Sequence, residues 1–396
     1  MSLIDLVKQG SLGLFETVRQ IRRHLHQHPE LSFEEFGTAA YIAGILETEG
    51  ISFTPGIAGT GITGTITGTL AGNRVLALRG DMDALPIHEA NAVPYASLNP
   101  GKMHACGHDA HSASLLGTVI LLNKLKDHFG GIVKFIFQPG EEKLPGGASL
   151  MIKENVLRSP DVEGIFGQHV FPELEAGKVG FRSGMYMAST DELYLTVKGK
   201  GGHGAMPHQT IDTIFIAAQI ITGLQQIVSR RANPTLPTVL TFGRIEGLGA
   251  TNVIPGEVKI EGTFRTFDEN WRKEAHQLIT EQAQGLAKAY GGECVVNIEH
   301  GYPALINEPQ ITENAVNAAR EFLGEENVVE LPIRMTAEDF AFYSQQIPAC
   351  FYRLGTRNEA RGITYGVHHP NFDIDEEAFK TSVGLMAWLA INELMR

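Results

Sequence analysis

The segment from Met103 to His111 (MHACGHDAH) contains a thiol, three imidazoles and a carboxylate. Cys106 and His108 stand two positions apart, a spacing that lets one extended or tightly turning segment direct both side chains at a common point. Thiolate and imidazole groups are donors that zinc and similar transition metals prefer. The segment therefore predicts part of a transition-metal site, and the alternative is a buried cysteine beside exposed histidines.

Other donor residues follow segments that are predicted to be buried strands, because these segments are short, apolar and rich in β-branched or aromatic residues. The pairs of segment and donor are residues 75–78 with Asp81 and Asp83, residues 132–137 with Glu141 and Glu142, and residues 164–170 with His169. His368 and His369 follow a glycine-containing loop. Each cluster alone is also compatible with a solvated turn or a structural histidine. Their shared position beyond strand ends, where ligands gather in α/β folds, favours one common site.

Motifs throughout the chain resemble those of the M20 family of metallopeptidases and amidohydrolases. They are HQHPELSFEE (26–35), RGDMDALPI (79–87), MHACGHDAH (103–111), FQPGEE (137–142), GQHV (167–170), GKGGHGAMPH (199–208), TNVIP (251–255), GTFRTF (262–267), AEDFAFY (337–343) and HHPNFDIDE (368–376). The order is that of the family, and MHACGHD resembles the branch with hippurate hydrolase, N-acetyl-diaminopimelate deacetylase and the auxin-conjugate hydrolases.

The resemblance implies a site for two divalent ions per subunit (Zn, Mn, Ni or Co), with one ligand bridging them. The implied ligands are Cys106, His108, Glu142, His169 and His368. Glu141 is the expected general base, and successive strand residues point in opposite directions, so the two glutamates can divide these roles. Asp83 is expected to orient a ligand. Asp81 is not expected to bind metal, and His369 occupies the variable position of a His-x-Pro pattern.

Three further residues resemble the family's substrate-binding groups. His203 is expected to stabilise the oxyanion that forms as water adds to an amide carbonyl, and to do so in the partner subunit's site. Asn252 and Arg265 are expected to bind the free α-carboxylate of the substrate, which an arginine can hold in bidentate fashion. For Arg265, a simple surface charge on a strand is the alternative. The resemblance thus implies a homodimer.

Composition bounds the class of protein. The chain has 396 residues, of which 43% are hydrophobic, and this length predicts two domains. The net charge of −13 argues against nucleic acid as a partner. The sequence shows neither a membrane-spanning apolar run nor the pattern of a signal peptide, so no membrane partner is expected. Three cysteines do not make a disulfide framework, which favours the cytoplasm.

The predicted fold is α/β: a metallopeptidase-type catalytic domain with a mixed sheet (residues 1–186 and 298–396) and an inserted ferredoxin-like lid and dimerisation domain (187–297). Helices are predicted over residues 15–28, 39–49 and 113–128 of the first. The second reads β-α-β-β-α-β, over residues 191–198, 210–231, 238–245, 258–267, 270–290 and 294–300. Residues 59–72 predict a β-hairpin, and His24, His26 and His28 a solvated helix end.

The sequence therefore predicts a metal-dependent amidohydrolase that cleaves the amide bond of N-acyl-amino acids (N-acetyl, N-benzoyl or similar), releasing a carboxylate and the free amino acid. Residues 143–147 are expected to line the acyl pocket. One alternative is a dipeptidase or carboxypeptidase of the same fold. The others are a metal-binding relative without catalysis and a hydrolase with a Ser or Cys nucleophile, which would resist chelators.

Overall fold

The computed structural model describes residues 1–396, and internal contacts divide this chain into two compact units. The first unit comprises Met1–Gly184, Ile306–Pro332 and Asp339–Arg396, and the second comprises Met185–Leu305 and Ile333–Glu338. The predicted second domain spans residues 187–297. The second unit thus also includes residues 185–186, 298–305 and 333–338, which were predicted to belong to the catalytic domain.

The helices and strands are numbered in chain order. The α-helices are α1 (Leu3–Gln27), α2 (Phe36–Thr48), α3 (His108–Lys124), α4 (Gly147–Lys153), α5 (Thr213–Gln226), α6 (Glu269–Ala289), α7 (Pro309–Leu323), α8 (Ala341–Ser344) and α9 (Phe379–Leu394). The strands are β1 (Phe53–Ile57), β2 (Gly61–Thr67), β3 (Leu70–Asp81), β4 (Gly130–Gln138), β5 (Gly164–Glu175), β6 (Val179–Phe181), β7 (Gly184–Met187), β8 (Asp191–Lys198), β9 (Gly202–His203), β10 (Thr238–Glu246), β11 (Val253–Ile254), β12 (Glu257–Thr266), β13 (Glu293–His300), β14 (Leu305–Asn307), β15 (Val328–Glu330) and β16 (Ala349–Arg357).

The first unit is built on a mixed eight-stranded sheet in the order β1-β2-β4-β3-β5-β16-β6-β15. The central strands β4, β3, β5 and β16 run parallel, while β2 pairs antiparallel with both β1 and β4, and β16 pairs antiparallel with β6. Helices α1, α3 and α9 pack against one another and, with the sheet, enclose one apolar core. The predicted α/β class with a mixed sheet is confirmed.

The predicted β-hairpin at residues 59–72 is wrong. Strands β2 and β3 both form in this segment, but β4 lies between them, antiparallel to β2 and parallel to β3. The glycines and threonines correctly marked a turn. What they could not show is that β4, whose residues Val133, Phe135 and Phe137 are fully buried, belongs in the interior of the sheet.

All three helices predicted in the first unit start earlier than predicted, α2 by three residues and the other two by more. Helix α1 begins at Leu3 because Ser2 and Asp5 form a reciprocal capping box at its N-terminus. Helix α3 begins at His108 and ends at Lys124, and almost its whole surface is buried. A helix that is buried all round has no polar face, so its start was hard to find by periodicity.

The second unit has the predicted order β8-α5-β10-β12-α6-β13. Its four-stranded sheet is antiparallel throughout, in the order β10-β12-β8-β13, which is the ferredoxin-like arrangement. Alternate β8 residues Leu193, Leu195 and Val197 are buried against α5 and α6. Helix α5 ends at Gln226 and continues as a short π-helical turn to Arg231.

None of the helices in either unit combines the length and apolar character that crossing a membrane requires.

Candidate metal centre and active site

Strand register brings three donor-bearing segments to one level of the first unit. Asp81 at the end of β3 is paired with Gln138 at the end of β4, and Arg79 is paired with Gly167 of β5. The turns after β3 and β4 are therefore adjacent, and His169 lies beside them. His169 is predicted at a strand end, but β5 continues beyond it to Glu175.

A glycine turn directs Cys106 and His108 toward this edge. Gly107 lies between them with φ of +84° and immediately precedes α3. A Cβ atom at this position would lie 2.5 Å from Cγ2 of Val170, so both the backbone conformation and the space require glycine. The turn places Cys106 before the helix and His108 as its first residue.

The structure brings the five predicted ligands into overlapping groups. Within each group, one donor atom per residue lies within 4.8 Å of the others; the groups are Cys106 with His108 and His169, Cys106 with Glu142 and His368, and His108 with Glu141 and Glu142. The sulfur of Cys106 is 3.4 Å from Nε2 of His169, and Nε2 of His368 is 3.1 Å from Oε1 of Glu142. His369 instead stacks on Tyr365, with ring centroids 4.4 Å apart.

Hydrogen bonds orient two of these imidazoles as metal ligands are usually oriented. Nδ1 of His169 donates to the carbonyl oxygen of Val170 at 2.7 Å, and Nδ1 of His108 is 3.1 Å from Oδ1 of Asp83. Each ring therefore directs Nε2 into the donor cluster. Nε2 of His108 is buried and has no hydrogen-bond partner, which is the state expected of a nitrogen whose partner is a cation.

Burial and neighbouring charges set the protonation of the cluster. Burial lowers the pKa of His169 well below its ordinary value, so its imidazole is neutral and able to ligate. Burial, reinforced by the charge of Glu142, raises the pKa of Cys106. Hydrogen bonds to Cys106 and Glu142 raise the pKa of His368 to about 10. Without a cation, the thiol of Cys106 and the imidazole of His368 therefore keep their protons. A bound cation would displace these protons and turn both groups into ligands, so the residues fit a transition-metal centre.

Asp83 occupies the position expected of an orienting residue. Besides His108, its carboxylate accepts hydrogen bonds from Oγ of Ser32 at 2.6 Å and from the backbone N–H of Glu142 at 2.9 Å. Burial alone would raise the pKa of Asp83, but the hydrogen bond and charge of His108 outweigh it and the pKa is lowered. Asp83 thus contacts two predicted ligands at once.

Asp81 is committed to other partners. It accepts from Arg79 and lies 2.6 Å from Nδ1 of His111, whose Nε2 in turn accepts the backbone N–H of Val170 at 2.8 Å. The pKa of Asp81 lies well below its usual value because Arg79 and the two histidines outweigh the effect of burial. Asp81 also lies within 4.8 Å of donor atoms of His108 and His111, so the expectation that Asp81 does not bind metal stays a prediction. Its contacts make His111 a link between β3 and β5.

The sequence did not reveal the residues that hold the turn after β4, residues 139–142, which carries Glu141 and Glu142. Glu35 is buried and accepts hydrogen bonds from the backbone N–H of Gly140 at 2.8 Å and from Oγ1 of Thr60 at 2.7 Å. On the other side, Asp339 accepts from Gln138 at 2.8 Å and Arg79 at 2.7 Å. The FEE and EDF motifs contain Glu35 and Asp339. Their role in holding this turn becomes visible only from their hydrogen bonds to residues far away in the sequence.

The prediction of a solvated helix end at His24, His26 and His28 is wrong for His26. This side chain is fully buried, with Nδ1 2.7 Å from Asp109 and Nε2 3.1 Å from Glu89. Arg22, one turn earlier, donates to the same Asp109 oxygen at 2.8 Å. The polar face of α1 is therefore an anchor for the segment that follows His108.

The predicted substrate-binding residues all lie in the second unit. His203 in β9 is paired with Val253 of β11, and the backbone N–H of Gly204 donates to the carbonyl of Asn252, so His203 and Asn252 are neighbours. Arg265 lies near the far end of β12, where it donates to the carbonyl of Met335 at 2.9 Å, and burial lowers its pKa.

Arg265 lies near one end of the four-stranded sheet of the second unit, and His203, in the separate two-stranded sheet of β9 and β11, lies beyond the other end. The first residue of β12 is paired with Lys198, close to β9, and Phe264 is paired with Asp191. At about 3.3 Å per residue, these two ends are roughly 25 Å apart. A small substrate cannot contact both residues of the same unit.

Three comparisons place this chain among known proteins. Residues 77–392 match peptidase family M20/M25/M40. An N-acyl-L-amino acid amidohydrolase from Geobacillus stearothermophilus is 45% identical over 76% of this chain and 81% of its own length. Thermostable carboxypeptidase 2 from Saccharolobus solfataricus is 38% identical over 99% of both chains. The structure of a dinuclear metal-binding M20 peptidase from Bacillus subtilis matches with a TM-score of 0.83 and 36% identity, covering 97% of this chain and 99% of that one.

Proposed function

This chain belongs to peptidase family M20/M25/M40 and is a hydrolase, and we propose that it cleaves the amide bond of N-acyl-amino acids with two divalent metal ions per subunit. The observation that carries the proposal is the cluster of Cys106, His108, Glu142, His169 and His368 beside a second carboxylate, Glu141. The similarity to an N-acyl-L-amino acid amidohydrolase supports the substrate class.

In the proposed reaction, water adds to the amide carbonyl carbon and the carbon–nitrogen bond then breaks. Glu141, whose Oε2 lies 3.9 Å from Nε2 of His108, takes a proton from the attacking water and delivers it to the departing amine nitrogen. His203 donates to the carbonyl oxygen as negative charge develops on it, and Asn252 and Arg265 hold the substrate carboxylate. The products are a carboxylic acid and a free amino acid.

The metal ions would be held by the five donors, with Asp83 fixing the orientation of His108. Ions such as Zn²⁺ or Mn²⁺ supply Lewis-acid chemistry, which polarises a carbonyl oxygen and makes water more acidic. Sulfur and imidazole donors suit Zn, Ni and Co, while the carboxylate also suits Mn, so the donor set supports this group of ions.

A cleft in the first unit is the proposed acyl pocket. It has a volume of about 270 Å³ and is lined in part by Leu31, Leu85 and Pro86, with Glu142 and Lys143 at its polar side. Its apolar walls suit an acetyl to benzoyl-sized group, and Glu142 connects it to the donor cluster. Of the 143–147 loop predicted to line the pocket, Lys143 lines this cleft.

A carboxypeptidase or dipeptidase activity is the second candidate. Similarity to thermostable carboxypeptidase 2 over nearly the whole chain favours it. Both activities require a substrate with a free carboxylate. In an N-acyl-amino acid the group released as the new carboxylic acid is a simple acyl group, whereas in a peptide it is an amino acid or a peptide. Competition between N-acetyl-amino acids and dipeptides of the same C-terminal residue distinguishes them.

We further propose that the enzyme is a cytoplasmic homodimer joined through the second unit. Exposed apolar residues of this unit support the interface, among them Phe215 on α5, Ile245 on the edge strand β10, and Leu248, which is 85% exposed. The distance between His203 and Arg265 supports a dimer in which one of these two residues is supplied to each active site by the other subunit. Three free, buried cysteines, one of them a proposed ligand, support a reducing compartment.

The test is a hydrolysis screen of metal-loaded protein. N-acetyl-, N-benzoyl- and longer N-acyl-amino acids should be cleaved after loading with Zn, Mn, Co or Ni, dialysis against a strong chelator should abolish turnover, and added metal should restore it. Cys106→Ser should weaken metal binding, because a hydroxyl is a poorer ligand than a thiolate. Full activity in protein shown by elemental analysis to be metal-free would overturn the proposal and favour a nucleophilic Ser or Cys.

A further inference from the structure

A second group of metal-ligand residue types lies in the second unit and shares no residue with the catalytic cluster. It consists of Asp191 at the start of β8, His276 on α6 and His300 at the end of β13, each with one donor atom within 4.8 Å of the others. Asp191 is fully buried, His276 is 8% exposed and His300 is exposed. The proposed hydrolytic reaction uses none of the three.

Asp191 is fully occupied by other groups and is not itself an available ligand. Its Oδ1 accepts from Nη2 of Arg272 at 2.6 Å and from the backbone N–H of Gly301 at 3.3 Å. Its Oδ2 accepts from Nε of Arg272 at 2.9 Å and lies 2.8 Å from Nε2 of His276. The bidentate arginine neutralises the carboxylate, so a cation there would face a positive neighbour.

The contact with Asp191 instead fixes the orientation of the His276 ring. Because Nε2–H of His276 donates to the carboxylate, the neutral ring carries its free lone pair on Nδ1. That Nδ1 atom is buried and has no hydrogen-bond partner. Metal-binding histidines usually donate their other ring N–H to a carboxylate, which fixes the ring and makes the free nitrogen more basic. Asp191 and His276 reproduce this arrangement.

His300 provides a second imidazole on the same side of the sheet. It is paired with Asp191 across β13 and β8, so both side chains project from the same face. The rings of His276 and His300 lie with centroids 4.8 Å apart and an interplanar angle of 76°. One nitrogen donor is thus buried and held in place, while the other is at the open sheet edge and free to adjust.

We propose that His276 and His300 form a transition-metal site in the second unit, with Asp191 as the residue that orients His276. Two imidazoles without a free carboxylate select Zn²⁺, Ni²⁺, Cu²⁺ or Co²⁺ over Mg²⁺ and Ca²⁺, which prefer oxygen. Water completes the coordination on the exposed side. A bound ion connects α6 to the edge strand β13 and therefore stabilises the second unit.

The test measures Zn²⁺ bound per chain by equilibrium dialysis and elemental analysis, with His300→Ala as the principal variant. His300 is exposed, so this change should leave the fold and the hydrolytic activity intact. We expect His300→Ala to bind one ion fewer per chain than the unmodified protein and to lose the Zn²⁺-dependent rise in Tm that follows saturation of the catalytic site. Asp191→Asn should weaken this additional binding by about 10–100-fold.

His208→Ala is the matched control, because His208 is an exposed histidine of the same unit. It should bind as many ions as the unmodified protein, and His300→Cys, which restores a soft donor, should recover binding that His300→Ala loses. Equal Zn²⁺ content in the His300→Ala, His208→Ala and unmodified proteins would overturn the proposal.

Discussion

At the scale of single residues, the role of each histidine depends on what its second nitrogen contacts. His108 and His169 each use Nδ1 for a structural partner and present Nε2 to the donor cluster. His111 stands in the same motif but has both nitrogens engaged, by Asp81 and by the N–H of Val170, so it links β3 to β5. Residue type and spacing alone could not separate these roles.

The adjacent glutamates provide the sharpest test at this scale. Glu142 belongs to the same donor group as Cys106 and His368, whereas Glu141 shares a donor group with His108 and Glu142. Glu141→Gln should therefore keep its metal content and lose about 10²–10⁴-fold in kcat, the usual effect of removing a general base. Glu142→Gln should lose metal. Elemental analysis and steady-state kinetics on both variants check this, and the reverse pattern would mean that the two roles are exchanged.

Asp83 should control metal affinity without being a ligand. Asp83→Asn retains the size of the side chain but removes the negative charge that holds Nδ1–H of His108. The amide also accepts the hydrogen bonds from Ser32 and the N–H of Glu142 less strongly than the carboxylate does. We expect metal affinity to fall by about 10–100-fold. Competition with a chromophoric chelator measures this directly. Ser32→Ala, which removes only one hydrogen bond to the same carboxylate, is the graded control and should have a smaller effect.

At the scale of helices and strands, the sequence predicted what depends on neighbouring residues and missed what depends on distant ones. The second unit was predicted almost element for element, because its strands alternate and its helices are amphipathic. The order of β2, β4 and β3 was not, since it depends on which strand is buried on both faces. In the site, the five donors lie in recognisable motifs, but the contacts of Glu35, Ser32 and Asp339 join segments far apart in the chain.

The anchor between α1 and the start of α3 should make stability depend on pH. Burial and Arg22 lower the pKa of His26, but Asp109 and Glu89 outweigh them, so the pKa is raised above its ordinary value of about 6.5. A raised pKa in the folded state stabilises the protein fully below the unfolded-state pKa, and this contribution is lost as pH rises through the folded-state pKa. His26→Gln should therefore lower the free energy of unfolding by about 1.5–3 kcal/mol near pH 6 and by less at higher pH.

Denaturant unfolding between pH 6 and 9 measures this difference. His28→Gln is the matched control, because His28 is exposed at the end of the same helix and lacks the buried carboxylate partners. Its unfolding free energy should follow that of the unmodified protein at each pH. A constant difference between His26→Gln and the unmodified protein across this range would show that His26 contributes only by packing.

At the scale of the whole molecule, the proposed catalytic metal ligands and the proposed substrate-binding residues lie in different units of the chain. All five donors, Glu141 and Asp83 belong to the first unit, while His203, Asn252 and Arg265 belong to the second. Within the second unit, Arg265 lies near one end of the four-stranded sheet and His203 lies beyond the other end, too far apart to meet one small substrate. A complete site that uses both residues therefore requires a second copy of the unit, which is the argument for a functional dimer.

Subunit mixing tests this argument. If His203 acts in the partner's site, His203→Ala should lower kcat with unchanged metal content, and mixing it with Glu141→Gln should restore activity. In an exchanged 1:1 mixture, about half of the dimers are mixed and each has one complete site, so activity should approach about one quarter of the unmodified level. Glu141→Gln mixed with Glu142→Gln is the negative control, because both changes lie in the first unit and no mixed dimer can form a complete site. Recovery no greater than in this control, once subunit exchange is demonstrated by differently tagged chains, would mean that His203 serves its own subunit or has no catalytic role.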